Sequence, residues 1–144
     1  MRKIPTIKDI MKPFPYTISA SETVKEAKLF MAKHSIRHLP VVSKNQLVGI
    51  LTDRDIKLSQ AVSKDENFDQ KYLVDDICLC DVYVVPGSTS AVKVLEYMAT
   101  NRIGSALITA NEKLIGIFTV TDACRSFSAF LCSESGVADA DENS

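Results

Sequence analysis

No window of the sequence approaches the roughly 18 uninterrupted apolar residues that a membrane-spanning helix needs. The opening MRKIPTIKDI carries charge but no apolar h-region. Neither a membrane span nor a secretory leader is therefore expected, and the chain reads as cytoplasmic. An excess of one charge is also missing. With 17 basic and 18 acidic residues the formal net charge is -1, so no global field draws in nucleic acid or an anionic membrane. Any bound anion must be held by local geometry, and no basic stripe with interleaved aromatics suggests single-stranded nucleic acid.

The four cysteines, Cys78, Cys80, Cys124 and Cys132, all fall in the second half. Cys78-x-Cys80 lacks the two-residue gap and the second paired cluster of a zinc site, and without a leader a disulfide framework is not expected. His34 and His38 stand four apart, but the helical pattern fades near Lys33 and no acid or cysteine completes a metal site. There is no P-loop, no G-x-S-x-G, and no histidine placed to activate a nucleophile. The chain is not expected to be an enzyme, so no catalytic residue, metal or required cofactor is assigned.

What remains is a composition of 46% hydrophobic and 24% charged residues over 144 positions. That suits a soluble domain with one core, or two half-domains that share one. Sliding the sequence by 67 positions superposes Asp9-Ile10 on Asp76-Ile77, Ser21 on Ser88, Met31-Ala32 on Met98-Ala99, and Ile36 on Ile103. Leu47 then falls on Leu114, Gly49-Ile50 on Gly116-Ile117, Thr52 on Thr119 and Asp55 on Asp122, without a gap. A duplication is the simplest cause.

Each copy reads as strand, helix, strand, strand, helix. Thr17-Ile18 opens the first copy. Thr23 with Glu26 forms a capping pattern, and Val24, Ala27, Phe30 and Met31 form an apolar stripe at helical spacing. Ser90 and the stripe Ala91, Val94, Leu95 and Met98 repeat this. LPVVS and LVGILT flank a turn at Lys44-Asn45-Gln46, and ALIT and LIGIFT flank Ala110 to Lys113, so each copy contains a hairpin. Further helices are expected from Asp53 to about Val62 and from Val120 to about Leu131. The domain reading is residues 1–62, a polar connection at 63–70 (SKDENFDQ), residues 71–131, and an acidic disordered tail at 132–144.

The hairpins end in GILTDRD and GIFTVTD. Thr-x-x-Asp at a helix start is itself a capping pattern. Capping is compatible with binding, because a first helical turn also offers free N–H groups and a positive dipole end to a phosphate. The glycine three positions before each Thr is read as room for a flat ligand against the backbone. Each Asp, emerging at the rim of the core, is placed to accept ribose hydroxyls.

IRHLPVV, GILTDRD, GIFTVTD and the gapless duplication resemble a tandem pair of cystathionine-β-synthase-type (CBS) domains, the Bateman module, from Ile7 to about Leu131. The resemblance implies an α+β fold of two tandem β-α-β-β-α repeats packed about a pseudo-twofold axis. It also implies adenosine-ligand sensing in clefts between the copies, with AMP, ADP, ATP or S-adenosylmethionine as regulatory ligand. By position, Asp55 and Asp122 would hold ribose, Thr52 and Thr119 would contact phosphate or orient the Asp, and Arg54 would face phosphate where the second copy has Thr121. Thr17, Ile18, Val84 and Val85, with Arg37-His38-Leu39-Pro40 and Ser105-Ala106-Leu107, would form the base pocket and its rim. Because Arg37-His38 and Arg54 of the first copy are Gly104-Ser105 and Thr121 in the second, the two sites are not expected to be equivalent. A stand-alone regulatory module, homodimeric and acting on an unidentified protein target, is the resulting expectation. The alternative is an interaction module of the same fold in which both Thr-x-x-Asp segments are only caps.

Overall fold

The computed structural model describes residues 3–136. Two helices show how local chemistry starts and stops these elements. Helix α2 (Val24–His34) opens where the Thr23 hydroxyl accepts the Glu26 N–H at 3.2 Å, and α6 (Ala91–Asn101) where the Ser90 hydroxyl accepts the Val92 N–H at 3.2 Å. Their buried faces are Val24, Ala27 and Met31 in one, and Ala91, Val94 and Met98 in the other. Both stop at a left-handed residue, Ser35 or Arg102, each with φ 54°.

Strand β2 (Ile18–Ser19) lies parallel to β3 (His38–Ser43), which runs antiparallel to β4 (Gln46–Thr52). Strand β5 (Val84–Pro86) lies parallel to β6 (Ser105–Ala110), and β6 neighbours β7 (Lys113–Thr119), which in turn pairs with β1 (Lys12–Pro13), giving a sheet ordered β1-β7-β6-β5. The hairpin turns use positive φ at both central residues, 52° and 64° at Lys44-Asn45 and 52° and 66° at Asn111-Glu112. That is the primed turn whose twist matches two paired strands. Helix α3 (Asp53–Ser63) follows β4, and α7 (Val120–Ser135) follows β7. The α+β class and the doubled unit agree with the sequence reading.

The compact units do not coincide with the sequence repeats. One contains the chain up to Pro13, Val84–Ala110 and the chain from Ile115; the other contains Phe14–Tyr83 with Asn111–Leu114. The short helix α1 (Ile7–Ile10) and strand β1 (Lys12–Pro13), which open the first repeat, thus belong to the unit of the second. Helix α5 (Val74–Ile77), which opens the second repeat, belongs to the unit of the first. The hydrogen bonds are equivalent under the 67-residue shift. Ile7 N–H donates to Thr89 O at 2.7 Å and Ala91 N–H to Pro5 O at 3.0 Å; Val74 N–H donates to Glu22 O at 2.8 Å and Val24 N–H to Tyr72 O at 3.0 Å.

The core of the first repeat's unit includes Val24, Ala27, Leu39, Val41, Leu51, Ile56, Phe68 and Val74. In the other, Ile7, Val94, Ala106, Ile108 and Phe118 are fully or nearly fully buried. Phe68 shows that the supposed polar connection is partly core. Helix α4 (Phe68–Lys71) begins there, with the Phe68 ring 1% exposed and 4.8 Å from that of Tyr72. A single aromatic in a polar stretch creates no periodicity, yet it is one of the largest side chains buried. Helix α7 also runs past Leu131 to Ser135, so 132–135 are helical. Residues 137–144 of the expected tail lie outside the described residues. No helix among the described residues is long and apolar enough to cross a membrane.

Candidate ligand-binding site

The hairpin of the first repeat delivers five of the sequence-predicted residues to the start of α3. His38 sits opposite Thr52 in the β3–β4 register, and the Asp53 N–H donates to the Arg37 carbonyl at 3.1 Å. Thr52 caps the helix, its hydroxyl accepting the Asp55 N–H at 3.0 Å. Arg37 and Arg54 are exposed, while His38, Thr52 and Asp55 are half-buried. The acidic pair of the first turn divides: Asp53 meets Lys57 at 3.0 Å, but Asp55 Oδ2 is buried and has no hydrogen-bond partner among the described residues. A buried carboxylate oxygen without a donor is unusual enough to need a reason.

The second repeat builds the same scaffold with a different outcome. The Val120 N–H donates to the Gly104 carbonyl at 3.1 Å, as Asp53 does to Arg37. Thr119 caps α7, and here the box closes: Asp122 Oδ2 accepts the Thr119 N–H at 2.8 Å and its hydroxyl at 2.9 Å. Its other oxygen lies 3.8 Å from Lys12 Nζ and 3.9 Å from an Arg125 guanidinium nitrogen. Asp122 is 6% exposed, and Thr121 beside it is exposed.

Lys12 and Arg125 were not picked out from sequence. Arg125 stands three residues after Asp122, a helical spacing that signals the contact. Lys12 arrives because β1 pairs with β7, matching Lys12 to Ile117 across more than a hundred residues, and no local pattern records that. At the equivalent positions in the first repeat's unit the chain carries Leu79 and Leu58. Two leucines bring no charge to Asp55.

The remaining predicted residues separate by exposure. Leu39, Pro40, Ala106 and Leu107 are buried, and Leu39 pairs with Leu51 inside the core. Ile18 and Val85 are also buried, pairing with Val41 and Ile108. Thr17 and Val84 are exposed and Ser105 is half-buried, leaving these three with surface to offer. His34, on the last turn of α2, stacks on Tyr16 with centroids 4.1 Å apart and lies 4.5 Å from Phe30. Among the described residues no cluster of His, Cys, Asp and Glu is arranged to hold a metal.

The reading of the two glycines requires correction. A Cβ on Gly49 would overlap the Leu79 carbonyl oxygen and lie 3.4 Å from Cys78 Sγ; one on Gly116 would overlap the Met11 thioether. The space is filled by the chain's own returning segments, Cys78-Leu79 in one unit and Met11 in the other, which are equivalent under the repeat shift. The glycines let chain approach chain, not ligand approach chain. Burial beside this crossing raises the Cys78 thiol pKa, with further increments from Cys80 and Asp75. An open groove of about 450 Å³ lies elsewhere, between α3, α4 and α5, and its lining includes Leu58, Val62, Phe68 and Asp76 but none of the predicted site residues.

Comparison with known proteins adds the following. Residues 7–60 and 74–129 match the CBS domain family. The chain is 36% identical over 118 residues to inosine-5'-monophosphate dehydrogenase of Methanocaldococcus jannaschii, covering 81% of this chain and 21% of the enzyme. It thus spans about a fifth of the length of such relatives. Among solved structures, AcuB from Vibrio cholerae superposes with a TM-score of 0.81 at 26% identity, covering 95% of this chain and 100% of the other. The CBS domain pair of protein MJ0100, in complex with 5'-methylthioadenosine and S-adenosyl-L-methionine, gives a TM-score of 0.75 at 26% identity over 88% of this chain and 98% of the other.

Proposed function

The chain belongs to the CBS domain family, and on that premise we propose that it is a regulatory CBS pair binding an adenosine-containing ligand at its Thr-x-x-Asp start of α3. The observation that carries this reading is Asp55: a buried carboxylate oxygen with no donor, beside a capped helix start and two exposed arginines. A ribose supplies the missing O–H donors, in charge-assisted bonds worth about 1.5–3 kcal/mol each. A phosphate fits the dipole end of α3 and the exposed Arg37 or Arg54. The complex of the MJ0100 pair with two adenosine compounds supports this ligand class.

The role is regulatory rather than catalytic. The likeness to the dehydrogenase covers a fifth of that enzyme, and its activity is not carried over. Ligand binding biases a partner protein, or the geometry of a homodimer, through a difference in affinity between two states. A specific observation also favours the cap-only reading for the second repeat, where one Asp122 oxygen already accepts both the N–H and the hydroxyl of Thr119.

Isothermal calorimetry with AMP, ATP and S-adenosylmethionine tests the proposal. Dissociation constants between about 1 μM and 1 mM, or roughly -8 to -4 kcal/mol, are expected for at least one of them. Absence of heat and of thermal shift with all three at millimolar concentration refutes it.

A further inference from the structure

Two thiols meet beside the crossing over Gly49, and we infer that Cys78 and Cys80 form a reversible dithiol–disulfide pair that responds to peroxide and loosens that crossing when it closes. Cys78 follows α5 in extended backbone, φ -71° and ψ 153°, and is half-buried, its sulfur 3.4 Å from where a Gly49 Cβ would lie. Cys80 is exposed, at the bend that comes next. Between them Leu79 is fixed to Ile50 by two main-chain hydrogen bonds, both of 2.9 Å. Residues two apart in extended chain project to one side, and the Cys78 and Cys80 side chains are hydrogen-bonded to each other.

Alternate residues of an extended chain lie about 6.6 Å apart, at the upper edge of the roughly 4.4–6.8 Å that a disulfide spans between Cα atoms. Joining the sulfurs therefore draws Cys78 and Cys80 together by up to about 1 Å. The Leu79 peptides between them buckle, at the expense of the bridge to Ile50. Ile50 lies on β4, two residues before the Thr52 that caps α3, so the strain enters the strand that carries the cap. The crossing over Gly116 has no such device, because Met11 and Pro13 stand where Cys78 and Cys80 do under the repeat shift. Cys124 and Cys132 cannot pair within α7 either, being eight residues and about 12 Å apart along the helix.

Exposure divides the roles. Cys80 is where an oxidant arrives. Its thiolate attacks a peroxide oxygen, forming an S–O bond and breaking O–O, and the hydroxide released takes up a proton to become water. Cys78 is held above the usual thiol range by burial, then by Cys80 and Asp75, and so keeps its proton. Its sulfur then displaces the sulfenic hydroxyl of Cys80, which leaves with that proton as a second water. Two thiols have lost two electrons and two protons, one peroxide has become two waters, and a thiol reductant reverses the bond.

The test treats the reduced full chain with hydrogen peroxide, alkylates remaining thiols with iodoacetamide in denaturant, and maps the digest by mass spectrometry without reduction. The peptide containing Cys78 and Cys80 should lose two hydrogen atoms, escape alkylation and recover with dithiothreitol, while Cys124 and Cys132 are alkylated. In Cys80→Ser, a change at an exposed side chain, Cys78 should remain alkylatable at the same peroxide dose. In the oxidised chain, hydrogen exchange at the Ile50 and Leu79 amides should quicken by about tenfold or more, from the loss of two net hydrogen bonds. Cys80 sulfinic acid beside an alkylatable Cys78 overturns the inference, as does a bridge from either thiol to Cys124 or Cys132, or both thiols surviving excess peroxide. Unchanged exchange at Ile50 and Leu79 in the disulfide form refutes the loosening of the crossing.

Discussion

Placing a methyl group at Gly49 or at Gly116 distinguishes a rigid crossing from a soft one. The two positions are equivalent in the repeat, and sequence alone predicts equal responses to Gly→Ala. In the structure the Gly49 methyl meets a backbone carbonyl, that of Leu79, which is bound into a reciprocal bridge. Ile50 N–H donates to Leu79 O and Leu79 N–H to Ile50 O, both at 2.9 Å. The backbone cannot rotate away, so relieving the overlap opens the bridge. Two net hydrogen bonds are worth about 1–3 kcal/mol, overpacking adds about 1–3 kcal/mol, and alanine's preference over glycine in a strand returns about 0.5–1 kcal/mol. A loss of about 1–5 kcal/mol follows for Gly49→Ala.

At Gly116 the obstacle is the tip of Met11, a flexible, half-buried side chain that can change rotamer. Gly116→Ala should cost about 1 kcal/mol or less. With a urea m-value of about 2 kcal/mol/M, the midpoints should fall by about 0.5–2.5 M for Gly49→Ala and by less than about 0.5 M for Gly116→Ala. Urea titration followed by far-ultraviolet circular dichroism measures both. Equal shifts, or a neutral Gly49→Ala, would refute the argument that backbone rather than side chain fills the space over Gly49.

Two further outcomes follow from particular contacts. Phe68→Ala, in the segment read from sequence as a polar connection, should lower stability by about 3–5 kcal/mol; a loss under about 1 kcal/mol in a chemical melt would show that Phe68 is not core. Asp9 is held below the usual carboxylate range by the N–H and hydroxyl of Thr6, at 2.9 and 3.1 Å, so its contribution is present above the ordinary aspartate pKa and lost as pH falls through the lower folded value. The cap of α1 should therefore persist at neutral and mildly acidic pH and loosen only in stronger acid, which an NMR titration of the Asp9 carboxyl and Thr6 amide follows. A midpoint at or above the ordinary value of about 3.9 contradicts it.

Much of this molecule was legible because its signals are short in range. The caps at Thr23, Ser90, Thr52 and Thr119, the apolar spacing of α2 and α6, and the turns at Lys44-Asn45 and Asn111-Glu112 each depend on residues within one helical turn or one hairpin. The 67-residue echo let each be read twice. Phe68 escaped because burial of one isolated aromatic leaves no period. The glycines were recognised as close-approach positions, but what approaches them comes from 30 residues away at Leu79 and 105 at Met11.

The sequence by itself determined the repeated unit, its elements and the two Thr-x-x-Asp helix starts, since backbone propensity and capping act locally. Only the tertiary structure decided which unit each leading segment joins, and so which side chains return to each site. Equivalent segments carry Lys12 to Asp122 and leave a leucine at the matching place near Ile50. A carboxylate's state is set by the donors and charges that surround it in space, and those neighbours are chosen by chain crossings that no local pattern encodes.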